Sequence, residues 1–115
     1  LQNLISREVI NNVTYTKYSD GTMEIRGIKF FDKPSGDIDR FDDWLYFDIP
    51  FINTNYTPIL SGHGAQSGTS NCVVNFDNPS GFQKGGFKVS IIQALSRLPL
   101  NHGAFVSFNI LGRWK

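Results

Sequence analysis

Two histidines, one cysteine and a crowd of aspartates are the residues of this chain that could do chemistry. His63 and His102 lie far apart in sequence, and neither sits in an H-x-H, H-E-x-x-H or C-x-x-C pattern that would hold zinc or iron. Each reads as a surface or turn residue. Cys72 opens the apolar run Cys72-Val73-Val74 and reads as a small buried hydrophobe, not a nucleophile. Asp32, Asp37, Asp39, Asp42 and Asp43 gather in the stretch FDKPSGDIDRFDD. The spacing Asp37-x-Asp39 is that of an EF-hand loop start, but the loop's glycine and closing glutamate are absent. A solvated acidic loop, offset by Lys33 and Arg40, is the expectation. Ser61-Gly62-His63 and Ser80-Gly81 read as turns and lack the G-x-S-x-G context of a nucleophilic serine. A glycosidase needs two placed carboxylates, yet Glu8 and Glu24 are the only glutamates and five of the eight aspartates cluster in one loop. Gly27, Gly62, Gly64 and Gly68 form no phosphate loop followed by a helix. A binding or structural module is therefore expected: no enzyme, no cofactor and no metal.

Composition narrows the partners. The 115 residues suffice for one domain with a thin core. Charged residues make up 18%, below the usual quarter, and the net charge of +1 offers no field for nucleic acid or an anionic membrane. A single cysteine excludes an internal disulfide. No apolar run reaches the length of a membrane span and no signal peptide is visible, so membrane insertion is not expected. The chain begins at Leu1 without a methionine and reads as part of a longer protein.

The elements that must position these residues are mostly strands. Leu1, Leu4, Ile5 and Val9 fall at helical spacings, so residues 1–12 read as a short helical or linker stub, such as the end of a coiled-coil stem. From Val13 to Phe30 the alternation predicts two strands joined at Ser19-Asp20-Gly21, where Asp-Gly accepts the positive φ of a tight hairpin. A further strand is expected at Trp44–Phe51, ended by Pro50, and a short one begins at Ile59 and Leu60. Residues 61–71 read as a surface loop, 72–76 as a strand, 77–83 as a turn, 86–92 as a strand and 104–114 as a closing strand. The sum is an all-β, antiparallel β-sandwich of about seven or eight strands over residues 13–115. Apolar and aromatic residues occupy both faces of several strands, a surplus that normally marks a subunit interface.

The order of motifs then carries a likeness. Tyr15-x-Lys17-Tyr18-x-Asp20-Gly21-Thr22-x-Glu24 is followed by an aromatic strand ending in Pro50-Phe51, then Asn53 and Tyr56. After these come Thr-Ser-Asn into Cys72-Val73-Val74, Gly81-Phe82, and a terminal Phe108-x-Ile110-x-Gly112-Arg113. The sequence resembles the C-terminal tip or knob domain of bacteriophage tail fibres and tailspikes, over nearly the whole chain from Val13. It departs from that pattern where Arg26-Gly27 replaces the usual Trp-Gly, where Ile49-Pro50-Phe51 compresses the strand end, and where Ser80-Gly81-Phe82 replaces Thr-Gly-Phe.

The resemblance implies an intimate homotrimer in the virion tail, assembled in the bacterial cytoplasm. Its partner would be a host cell-surface polysaccharide or an outer-membrane protein. Candidate receptor-binding residues are His63, Gln66 and Asn71 in the glycine-serine loop, and Asn78 and Lys84 in the following turn. Asp37, Asp39 and Arg40 of the acidic loop join them, with Trp44 and Tyr56 as aromatics that would stack on a sugar face. A trimerisation or capping domain that binds no receptor is the alternative, and a polysaccharide depolymerase a third.

Overall fold

The computed structural model describes residues 3–32, 40–64, 72–76, 78–93 and 103–115. Within them run eight strands: β1 (Leu4–Ile10), β2 (Val13–Tyr18), β3 (Thr22–Phe31), β4 (Arg40–Tyr46), β5 (Thr57–Gly64), β6 (Cys72–Phe76), β7 (Gly86–Gln93) and β8 (Ala104–Arg113). One 3₁₀ turn, Pro79–Gly81, interrupts them. The strands form two antiparallel sheets, one in the order β1-β2-β3-β8-β5 and one in the order β4-β7-β6. The all-β expectation holds, with the core between the two sheets.

Alternation explains the layering. Met23 and Ile25 of β3 and Val106, Phe108 and Ile110 of β8 point inward and are buried. They meet Phe41 and Leu45 of β4, Val74 of β6, and Phe87, Val89 and Ile91 of β7. The hairpin at Ser19-Asp20-Gly21 forms as its residues dictate. Gly21 takes φ 95°, Gly21 N donates to Tyr18 O at 3.1 Å, and Thr22 N donates to the Asp20 carboxylate at 2.9 Å. A Cβ on Gly21 would also stand 2.7 Å from the carbonyl oxygen of Lys115, so the turn needs glycine twice over.

Three expectations are corrected. Residues Leu4–Ile10 form neither a helix nor a linker; they are β1, the edge strand beside β2. Asn11 and Asn12 both hold positive φ, 52° and 65°, the combination a two-residue hairpin requires, and Ile10 pairs with Val13. Next, the strand expected at Trp44–Phe51 lies earlier, at Arg40–Tyr46. Phe47 leaves the ladder, its N–H donating to Gly85 O at 2.8 Å, while Phe51 N donates to Lys84 O at 3.0 Å. Third, the loop expected from Ser61 does not start there, because β5 runs through Gly64; residues 65–71 lie outside the described residues. Gly62 is strand rather than loop; a Cβ there would stand 2.1 Å from a Val74 methyl, so this glycine lets the two sheets touch.

The segment between β4 and β5 closes one end of the sandwich with aromatics. Phe51 and Tyr56 stack at 4.8 Å, Tyr56 and Phe82 at 4.9 Å, and Phe47 sets its edge against both Phe51 and Tyr56. The buried Tyr56 hydroxyl donates to the carbonyls of Gln83 (2.7 Å) and Gly86 (3.0 Å), which ties this plug to the start of β7. Burial pushes its pKa up to about 12 from 10.0. Tyr56→Phe is expected to lower stability by about 1–2 kcal/mol in urea unfolding, because two carbonyls lose their donor. The raised pKa adds a sign. The tyrosine's contribution is whole below the unfolded value of 10.0 and disappears as pH rises through about 12. The alkaline loss of stability should therefore be shallower in Tyr56→Phe than in the parent chain.

Candidate functional site

Of the ten residues singled out, the structure brings two together, Trp44 and Asn78, with Arg40 farther along the same strand as Trp44. Asp37, Asp39, Gln66 and Asn71 lie outside the described residues, and His63 is placed only as a backbone member of β5. Lys84 is exposed on the turn before β7. Tyr56 is 5% exposed and belongs to the core, so it cannot serve as an open sugar platform. Its hydroxyl has backbone partners inside the fold, which is what lets so polar a tip be buried. Arg40, Trp44 and Asn78 lie on or beside the outer face of the three-stranded sheet.

That face is built by the period of two. Arg40, Asp42, Trp44 and Tyr46 alternate outward along β4 while Phe41 and Leu45 point into the core. Across the ladder, Ser90 opposes Asp42 and Lys88 opposes Trp44. Trp44 and Tyr46 stand nearly parallel, 5.8 Å apart at 11°. Tyr46 is 64% exposed, a large aromatic left in solvent, and it was not among the sequence candidates. The same alternation that carries Trp44 could have found it, since Tyr46 lies two residues on. Arg40 donates to the Asp42 carboxylate at 3.3 Å and to the Ser90 hydroxyl at 3.4 Å. A hydrogen bond from Ser90, aided by the Arg40 and Lys88 charges, holds the Asp42 carboxyl below the ordinary carboxylate range. Beyond Trp44 lies a slot of about 130 Å3, lined by Trp44, Asn78, Gly81, Phe82 and Lys88.

The outer face of the five-stranded sheet differs in kind. Val9, Ile28, Phe30, Ile59, Phe105 and Leu111 are all exposed there, Ile28 at 59% and Ile59 at 69%. They surround an open trough of about 880 Å3 whose polar members include Arg7, Thr14, Glu24, Arg26, Ser107 and Asn109. An antiparallel sheet with one solvated face ordinarily alternates apolar inside with polar outside, and this sheet breaks that rule on its outer side. Among the described residues no three His, Cys, Asp or Glu side chains converge as a metal site would require. Nor is any described helix long and apolar enough to cross a membrane.

Comparison with solved structures adds one finding. The chain has the fold of a pyocin tail-fibre fragment. It superposes on the structure of the Pseudomonas aeruginosa R1 pyocin fibre comprising C-terminal residues 323–701, with a TM-score of 0.64 and 13% identity over 94% of this chain. An N-truncated R1-type pyocin tail fibre gives a TM-score of 0.65, also at 13% identity over 94% of this chain. The chain spans 28% of the first of these structures and 86% of the second. No protein-family model and no curated protein sequence matches it.

The Asp42 cluster has a measurable signature. With its folded pKa below the unfolded one, the cluster stabilises above the ordinary carboxylate value and is lost as pH falls through the lowered one. Asp42→Asn is expected to lower the neutral-pH melting temperature slightly while leaving the acid value unchanged, so the acid limb of the thermal-unfolding profile flattens as pH falls below the ordinary carboxylate value.

Proposed function

We propose that this chain is the host-recognition tip domain of a phage or prophage tail fibre, acting as a homotrimer on the virion tail. Its receptor is a cell-surface polysaccharide or an outer-membrane protein, and it binds without turning its ligand over. The observation that carries this reading is the likeness to pyocin tail-fibre fragments over 94% of the chain. The motif order from Tyr15 to Arg113, read from sequence alone, leads independently to the same kind of protein.

The exposed apolar sheet face supports self-association. Five strands about 4.8 Å apart, six to ten residues long and rising about 3.3 Å per residue, cover an area of about 650 Å2. That approaches one partner's share of a standard protein interface, about 800 Å2. Glu24, Arg26 and Arg7 lie on the same face with no ion pair to one another among the described residues, so neighbouring copies can match them across the contact. Packing this face against a neighbour leaves the three-stranded sheet with Trp44 and Tyr46 turned to the outside. The same apolar face also favours the second reading, a trimerisation or capping domain whose receptor contacts lie elsewhere in the fibre.

Solution mass and host adsorption separate these readings. The parent protein is expected at three times its chain mass, and Ile28→Glu with Leu111→Glu is expected to yield folded monomer by circular dichroism and light scattering. Purified trimer should compete with whole particles for host cells. A parent protein that is monomeric at micromolar concentration sinks the interface. A trimer that fails to compete leaves only the structural role.

A further inference from the structure

The slot beside Trp44 has the construction of a sugar subsite, and its charge says which sugars. Trp44 and Phe82 supply two aromatic walls. Each wall is braced by another ring, Trp44 by Tyr46 at 5.8 Å and Phe82 by Tyr56 at 4.9 Å with only 4° between planes. Walls held in place before a ligand arrives lose little freedom on binding. An aromatic face carries the negative side of its quadrupole, which suits the weakly positive C–H face of a pyranose ring. Asn78 stands at the rim with its side-chain oxygen accepting from Ser80 N at 3.0 Å, so its carboxamide is fixed as well.

Lys88 decides the charge. It faces Trp44 across the β4–β7 ladder and lines the slot. Among the described residues the ion pair on this face joins Arg40 to Asp42, and Asp42 is further committed to Ser90. No carboxylate is within ion-pair distance of the Lys88 ammonium among those residues. Lys88 acts on Asp42 only through space, while Arg40 bonds that carboxylate directly, so the ammonium beside the aromatic wall is complementary to a negatively charged ligand.

We infer that this slot binds one acidic pyranose of a cell-surface polysaccharide, its ring against Trp44 and its carboxylate on the Lys88 ammonium. This rests on the reading of the chain as a receptor-binding domain and narrows it to hexuronate-bearing glycans. Tyr46 is a positioning residue here, holding the Trp44 ring.

The test uses the full chain and three probes by titration calorimetry: a glucuronate-containing tetrasaccharide, its carboxyl methyl ester, and a neutral glucose tetrasaccharide. The expected result is saturable binding of the acid form, about tenfold tighter than either neutral probe. Trp44→Ala is expected to weaken all three by about tenfold or more. Lys88→Gln is expected to erase the preference for the acid form while leaving the neutral probes unchanged. Tyr46→Ala should weaken binding less than Trp44→Ala, and Tyr46→Phe should restore it. Equal affinity for acid and ester overturns the role of Lys88, and binding indifferent to Trp44→Ala, or no binding of any probe, overturns the slot. Competition for whole host cells is measured alongside. A domain that adsorbs to cells without binding these probes keeps its receptor role and loses the slot, whereas one that binds the probes but ignores cells keeps the slot and loses the role.

Discussion

The ladder between β3 and β8 is the constraint on which the rest depends. Ten consecutive residue pairs, from Thr22 opposite Arg113 to Phe31 opposite Ala104, fix the centre of the larger sheet. Because side chains alternate, that single register sends Met23, Ile25, Val106, Phe108 and Ile110 into the core. It also sends Ile28, Phe30, Phe105 and Leu111 outward to the opposite face. A slip by one residue would exchange the two sets. The core and the apolar outer surface are thus two results of one pairing.

The aromatic plug is the second organising contact, and it links fold to site. Tyr56 stacks on Phe82, and its hydroxyl holds the carbonyls of Gln83 and Gly86. Those residues lead directly into β7, which carries Lys88 and Ser90 to the outer face. Gly112 completes the arrangement, since a Cβ there would stand 2.7 Å from the Phe51 ring. Tyr56 therefore shapes the slot beside Trp44 from inside, by placing Phe82 and the strand behind it.

What the sequence revealed followed how local the cause was. Asp20-Gly21 announces its hairpin because the turn chemistry lies within two residues. β1 was hidden because Leu4, Ile5 and Val9 also fit a helical stripe, while the positive φ of Asn11 and Asn12 has a weaker signature than Asn-Gly. β5 was cut short because Gly62 looks like a loop residue until Val74 is known to press against it. Trp44 could be proposed as a stacking residue from its type alone, and Tyr56 equally, but which of them faces solvent is decided by tertiary packing. The pairing of Lys88 with Trp44 joins residues from distant segments, and no local pattern reports it.

The position of β8 has a consequence for biogenesis. Of the eight strands it is the last to leave the ribosome, yet it sits between β3 and β5 in the larger sheet. Until it emerges, β3 has no neighbour on that side and its inward residues lack their cover. The larger sheet therefore cannot close until β8 has been made, and its closure needs a search across most of these strands. Until β8 is made, the nascent polypeptide exposes greasy surface of the kind that chaperones bind. A message cut short before β8 would leave β3 and β5 with nothing to join them in the larger sheet.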